Sequence, residues 1–225
     1  MKLLNIFAML KSNRMISSQE TAMQMAELLL RIKAVKLSPG EPFTWASGIK
    51  SPIYCDNRVT LSYPEIRNFI RMNFSRIILI HFGGAEAISG VATGGIAQGA
   101  LVAQELGLPF SYVRSGKKDH GLSNQIEGAV IPGQRIVVVE DLISTGGSSL
   151  GAVEALREAG CCVSGMVAIF TYNLPAAVRG FETAACQLFT LTDYDILIQK
   201  ALETGYISDD DLSILKEFKE KLAGK

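Results

Sequence analysis

From residue 87 onward, short apolar runs take turns with stretches of helical periodicity, and this alternation restricts the fold more than anything else in the 225-residue chain. The runs at 87–92, 110–114, 135–140, 163–170 and 186–191 are too short for helices and read as strands, whereas 95–106, 148–159 and 174–180 read as helices. Strands joined through helices lie parallel, with helices covering both faces of the sheet. The expected class is therefore α/β, with a mainly parallel central sheet flanked by helices. At 48 % hydrophobic residues the chain can fill such a core within one domain.

Upstream, Met23, Ala26, Leu29 and Leu30 recur at helical spacing in a helix expected from Ser17 to about Val35, stopped by Pro39-Gly40. Phe43 to Asn57 reads as extended and turn-rich. Tyr63 to Ile80 reads as a helix with Ile66, Phe69, Ile70 and Phe74 on one face. The tail "SDDDLSILKEFKEKL" has acids in its first turn and lysines in its last, as a helix dipole favours. The opening "MKLLNIFAML" has a lysine and a short apolar run, but "KSNR" follows where a small-residue cleavage site would stand, so no signal peptide is expected. Periodicity begins after Met15; residues 1–14 read as a dispensable extension and 15–225 as the folded domain. No run reaches the roughly 18 apolar residues of a membrane span.

Lys+Arg and Asp+Glu both count 22, so a broad attraction to nucleic acid or to an anionic membrane is not expected. The four cysteines form no C-x-x-C pair and neither histidine stands near one, which argues against zinc. Adjacent Cys161-Cys162 in an apolar setting points to reduced thiols and a cytoplasmic protein.

One strand ends unusually. In "IVVVEDLISTGGSSL" (136–150) an aliphatic run meets Glu140-Asp141, then Ser144-Thr145-Gly146-Gly147-Ser148. Ligands of open parallel sheets bind at the carboxyl ends of strands. Amides freed by the glycines, three hydroxyls and the start of the next helix suit a phosphate dianion. The two acids would repel that phosphate but accept hydrogen bonds from a diol, so a ligand with a diol at one end and a phosphate at the other, such as ribose 5-phosphate, satisfies both halves. Both acids reach one ligand only if the strand is already turning at Asp141. Neither a Walker loop nor a G-x-G-x-x-G fingerprint occurs. Residues 115–134 form a polar, glycine-punctuated connection longer than the roughly 12–15 residues usual for a loop without function. At its start Arg114, Lys117, Lys118 and His120 gather cationic and titratable groups within one short stretch.

"VVVEDLISTGGSS" resembles the phosphoribosyl-diphosphate signature of the type I phosphoribosyltransferases, and nearly the whole chain from Met15 resembles the orotate phosphoribosyltransferases. "FTWASGIKSPIYCDNR" (43–58), "GVATGGIAQGALVA" (90–103) and "VRSGKKDHG" (113–121) carry the same likeness. The resemblance implies the type I phosphoribosyltransferase fold, with a small N-terminal hood and a long mobile lid loop. It implies transfer of a phosphoribosyl group from phosphoribosyl diphosphate to orotate, with Mg2+ held mainly by substrate and water, and a homodimer whose 114–120 loop serves the neighbouring site. Glu140 and Asp141 are assigned to the ribose diol and residues 144–148 (Ser144, Thr145, Gly146, Gly147, Ser148) to the 5'-phosphate; Leu142 and Ile143 of the same signature count as substrate-binding, and the likeness implies that Ser144 also touches the base. Arg114, Lys117, Lys118 and His120 meet the diphosphate, Gly94-Gly95 offer it amides, and Ser47, Gly48 and Lys50 lie at the pyrimidine side. Lys118, His120 and Asp141 are the expected catalytic residues.

The sequence departs from some members, which carry lysine at the positions of Ala46, Gly94 and Ser115, and an arginine after the strand ending "IFTYN"; here the next arginine is Arg179. Two alternatives remain: a purine-type transferase, and a non-catalytic regulator that senses phosphoribosyl diphosphate or nucleotides on the same fold.

Overall fold

A computed structural model describes residues 14–16, 18–44, 48, 50–114, 116 and 125–223. The first strand, β1 (Arg14–Ile16), begins one residue before the expected domain start. Helix α1 (Gln19–Arg31) follows; Ser18 caps it by accepting a hydrogen bond from the Thr21 amide at 3.1 Å, and Ala22, Met25, Ala26, Leu29 and Leu30 form its buried stripe. The helix ends earlier than the expected Val35. Lys33 turns into the left-handed region at φ 56°, and buried Val35 opens β2 (Val35–Leu37), which pairs antiparallel with β5 (Ile53–Cys55). Between them β3 (Phe43–Thr44) and β4 (Lys50–Ser51) form a second antiparallel pair. These two small sheets form the hood. A 3-10 turn over Asn57–Ser62 leads into α2 (Pro64–His81).

The alternating half supplies β6 (Ala87–Val91), α3 (Gly94–Leu106), β7 (Phe110–Val113), β8 (Ile126–Glu127), β9 (Arg135–Ile143), α4 (Gly147–Glu158), β10 (Cys162–Thr171), α5 (Pro175–Thr183), β11 (Leu188–Asp193), α6 (Tyr194–Glu203) and α7 (Asp209–Ala223). Seven strands form one sheet in the order β1-β11-β10-β9-β6-β7-β8, and only β8 runs antiparallel to its neighbour. Both faces are covered, as the unbroken apolar runs require: Val137 and Val139 face the core shared with α1, α2 and α3, while Ile136 and Val138 face α4 and α5.

Three features differ from the sequence reading. The long polar connection contains β8, where Ile126 and Glu127 pair with Val113 and Tyr112. Strand β9 extends to Ile143 rather than ending at Glu140. Helix α6, not foreseen, starts directly on β11 because the Asp193 carboxylate caps it, accepting from the Ile196 amide at 2.9 Å. Among the described residues no helix is long and apolar enough to cross a membrane. All four cysteines are free.

Candidate active site

The sheet order creates the cleft. After β6 the chain moves outward through β7 and β8, whereas after β9 it moves the opposite way through β10 and β11, so the loops leaving these neighbouring strands diverge. A crevice opens at such a switch point, outside the carboxyl ends of the strands. Here it is a cleft of about 340 Å³, lined by Ala92, Thr93 and Gly94 after β6 and by Glu140, Asp141, Leu142 and Ser148 at the end of β9, with Cys55, Asp56 and Arg58 as the hood-side wall. A larger groove of about 710 Å³ runs between α4 and α5, but the paired acids do not line it.

Glu140 is 5 % exposed. One carboxylate oxygen accepts from the Ser149 hydroxyl at 3.0 Å and the other from the Asp141 amide at 2.9 Å. Burial, reinforced by the neighbouring Asp141 charge, pushes its carboxyl up to about 9, so it keeps its proton at neutral pH. Asp141 is also raised by burial, against smaller opposing pulls led by its hydrogen bond with the Glu140 carboxyl, with the Arg58 charge a lesser one. The Arg58 guanidinium grips Asp56 with two bonds, Nε to Oδ1 at 2.7 Å and Nη2 to Oδ2 at 2.9 Å, and this holds the Asp56 carboxyl below its usual range. The Asn57 carboxamide donates to the Asp141 carbonyl at 2.7 Å. Opposite, Gly94 leaves room for the Asp141 carboxylate: a Cβ at that position would fall inside it.

Downstream of the acids, Gly146 sits at φ 84° and starts α4 with no side chain capping it. A helix start without such a cap keeps amide donors open to an incoming anion. Ser144, Thr145, Gly147 and Ser148 are exposed beside it, whereas the Ile143 side chain is buried in the core under α4.

The expected site residues are thus divided. Glu140, Asp141, Leu142, Ser148 and Gly94 share one cleft, and the 144–147 loop adjoins it. Lys50 lies apart on the exposed β3/β4 pair, where it donates to the Thr44 hydroxyl at 2.6 Å, and Gly48 lies on that same hairpin at φ 82°. Arg114, just after β7, faces Glu127 of β8 at 3.3 Å, and its Nε and Nη2 atoms are buried with no hydrogen-bond partner among the described residues. Arg179 lines the outer α4/α5 groove. Ser47, Lys117, Lys118 and His120 lie outside the described residues. Cys55, Asp56, Asn57 and Arg58 have no individual role in the sequence reading, although they close the 43–58 stretch that carries the family likeness, and the Asp-x-Arg spacing sets opposite charges within reach of each other. Among the described residues no cluster of three or more His, Cys, Asp or Glu could hold a metal ion.

The phosphoribosyl transferase domain model matches residues 66–178. An orotate phosphoribosyltransferase of Phocaeicola vulgatus is 60 % identical over 195 residues, covering 87 % of this chain and 92 % of that one. The Staphylococcus saprophyticus orotate phosphoribosyltransferase is 55 % identical over 202 residues, covering 90 % of this chain and 100 % of its own length. The crystal structure of the Aeropyrum pernix orotate phosphoribosyltransferase superposes with a TM-score of 0.68 at 28 % identity, over 82 % of this chain and 99 % of that one.

Proposed function

The chain belongs to the orotate phosphoribosyltransferase family, and from that premise we propose that its cleft transfers the phosphoribosyl group of phosphoribosyl diphosphate to orotate, giving orotidine 5'-monophosphate and diphosphate. The observation that carries this reading is the meeting, at one switch point, of two largely buried acids with an uncapped helix N-terminus just downstream.

The amides and hydroxyls of residues 144–148 receive the 5'-phosphate. Asp141 and Glu140 receive the ribose hydroxyls; because Glu140 retains its proton, the pair presents nearer one negative charge than two to a substrate that is itself an anion. As the bond from the anomeric carbon to the leaving oxygen breaks, positive charge develops on the ribose, and the Asp141 carboxylate lies on the side that stabilises it. Arg114, Lys117, Lys118 and His120 are assigned to the departing diphosphate, beside the amides of Gly94 and Gly95. Orotate is assigned to the hood side of the cleft, with Ser47, Gly48 and Lys50 its proposed contacts. No covalent enzyme intermediate is needed, so positioning and charge placement carry the catalysis.

The family likeness implies Mg2+ as the cofactor, held mainly by substrate oxygens and water. Bound in that way it neutralises charge on the diphosphate leaving group. A second copy of the chain is the proposed partner, its 114–120 loop serving the neighbouring cleft. Four free cysteines support a reducing, cytoplasmic setting.

The test is orotate consumption followed by absorbance with phosphoribosyl diphosphate and Mg2+, beside the Asp141→Asn variant and with adenine, hypoxanthine and uracil as competing bases. Turnover of orotate alone, collapsing in the variant, is the expected result. Binding of phosphoribosyl diphosphate without consumption of any base would overturn it.

A further inference from the structure

Strand β9 outruns its neighbour. Its last pair with β6 is Gly90 with Val139, yet β9 continues to Ile143, so on that side the backbone beyond Val139 has no strand to bond. The Asp141 carbonyl lies in this unpartnered stretch, and the Asn57 carboxamide bonds it at 2.7 Å across 84 residues of sequence. Asn57 is itself 1 % exposed and fixed at both ends: its Oδ1 accepts from the Cys55 thiol at 3.4 Å, and its own backbone carbonyl accepts from the Thr60 hydroxyl at 2.6 Å. A thiol that donates on the Oδ1 side leaves the amide nitrogen facing Asp141; a flipped carboxamide would set oxygen against oxygen.

We propose that Asn57 and Cys55 are positioning residues for the transfer reaction: Asn57 substitutes for the missing strand and holds the backbone of Asp141 where its carboxylate can meet the ribose, and the Cys55 thiol sets which way Asn57 faces. Burial, with the Asp141 and Asp56 charges adding to it, raises the thiol well above its ordinary value, so it remains a donor through the neutral range. Neither residue needs to touch the ribose. Because Cys55 ends hood strand β5, Asn57 opens the turn that follows it and Asp141 belongs to the central sheet, the contact also fixes the hood-side wall of the cleft relative to the acids.

The inference rests on the assignment of Asp141 to the ribose, and the experiment separates the two. Asn57→Ala removes the donor and leaves a carbonyl unpaired. The expected result is a rise of about tenfold in KM for phosphoribosyl diphosphate with KM for orotate little changed. Cys55→Ala is expected to raise the same KM by about threefold, and Cys55→Ser, which keeps a donor, to recover part of that loss. Thermal midpoints are measured alongside, because a purely structural role would lower them without separating the two KM values. If Asp141→Asn is inactive while Asn57→Ala and Cys55→Ala both keep the wild-type KM for phosphoribosyl diphosphate, this inference alone is overturned. If Asp141→Asn turns over normally, the ribose assignment falls and takes the inference with it.

Discussion

Gly94 and the Asp141 carboxylate occupy neighbouring space with no room for a Cβ between them. The carboxylate therefore lies where a side chain at position 94 would go. With Asp141 in this position, residue 94 has to be glycine.

Gly94→Ala should displace the Asp141 side chain without harming the sheet. The expected outcome is a loss of kcat/KM for phosphoribosyl diphosphate of about tenfold or more at an unchanged thermal midpoint. Gly95→Ala is the contrasting control: its Cβ would run into the Val139 carbonyl, which is backbone and cannot move aside. That variant should melt lower, by about 2–4 °C for each kcal/mol lost. Paired steady-state kinetics and thermal melts distinguish the two.

The acidic pair makes the ligand-free protein sensitive to pH. Glu140 titrates near 9 when folded and near 4.5 as an unperturbed carboxyl, so between those values the folded state holds a proton that the unfolded chain has lost. Its contribution to stability is complete below the lower value and is lost as pH rises through the window, at up to about 1.4 kcal/mol per pH unit. Glu140→Gln mimics the protonated form. It should melt higher than wild type at pH 8, with the gap shrinking toward pH 5; a gap that does not vary with pH would contradict the assignment.

Ser148→Ala and Thr145→Ala each remove one exposed hydroxyl beside the uncapped start of α4. If both hydroxyls bond the 5'-phosphate, each variant should weaken ribose 5-phosphate binding by about five- to tenfold in calorimetry, with no change in melting temperature when the ligand is absent.

Metal dependence should follow the substrate. If Mg2+ is held by substrate and water as proposed, millimolar Mg2+ alone should leave the melting temperature unmoved, whereas Mg2+ with phosphoribosyl diphosphate should raise it by mass action. Chelation should abolish transfer while ribose 5-phosphate still binds. A large shift with Mg2+ alone would require a protein-held metal.

Much of this site was legible because its parts are local. The aliphatic run 136–139, the acids and the glycines after them lie in one continuous stretch, and the chain's alternation sets which end of the strand they occupy. What escaped depends on contacts distant in sequence. Asn57 matters only because β9 outruns β6, and no local pattern records that overhang. Strand β8 is two residues long within a polar connection, too short for periodicity. The bond of Lys50 to Thr44 was likewise not legible, because it crosses a hairpin whose pairing follows from the fold around it.

The tie between Asn57 and Asp141 also bears on how the cleft comes into being. Its partners are 84 residues apart, and contacts of such separation tend to close late because the intervening chain must be ordered first. A nascent or partly unfolded chain could display the helix start that attracts phosphate and still lack a correctly placed Asp141. Affinity for inorganic phosphate and affinity for the ribose would then appear at different moments of refolding, so the interval between them would time the docking of the hood.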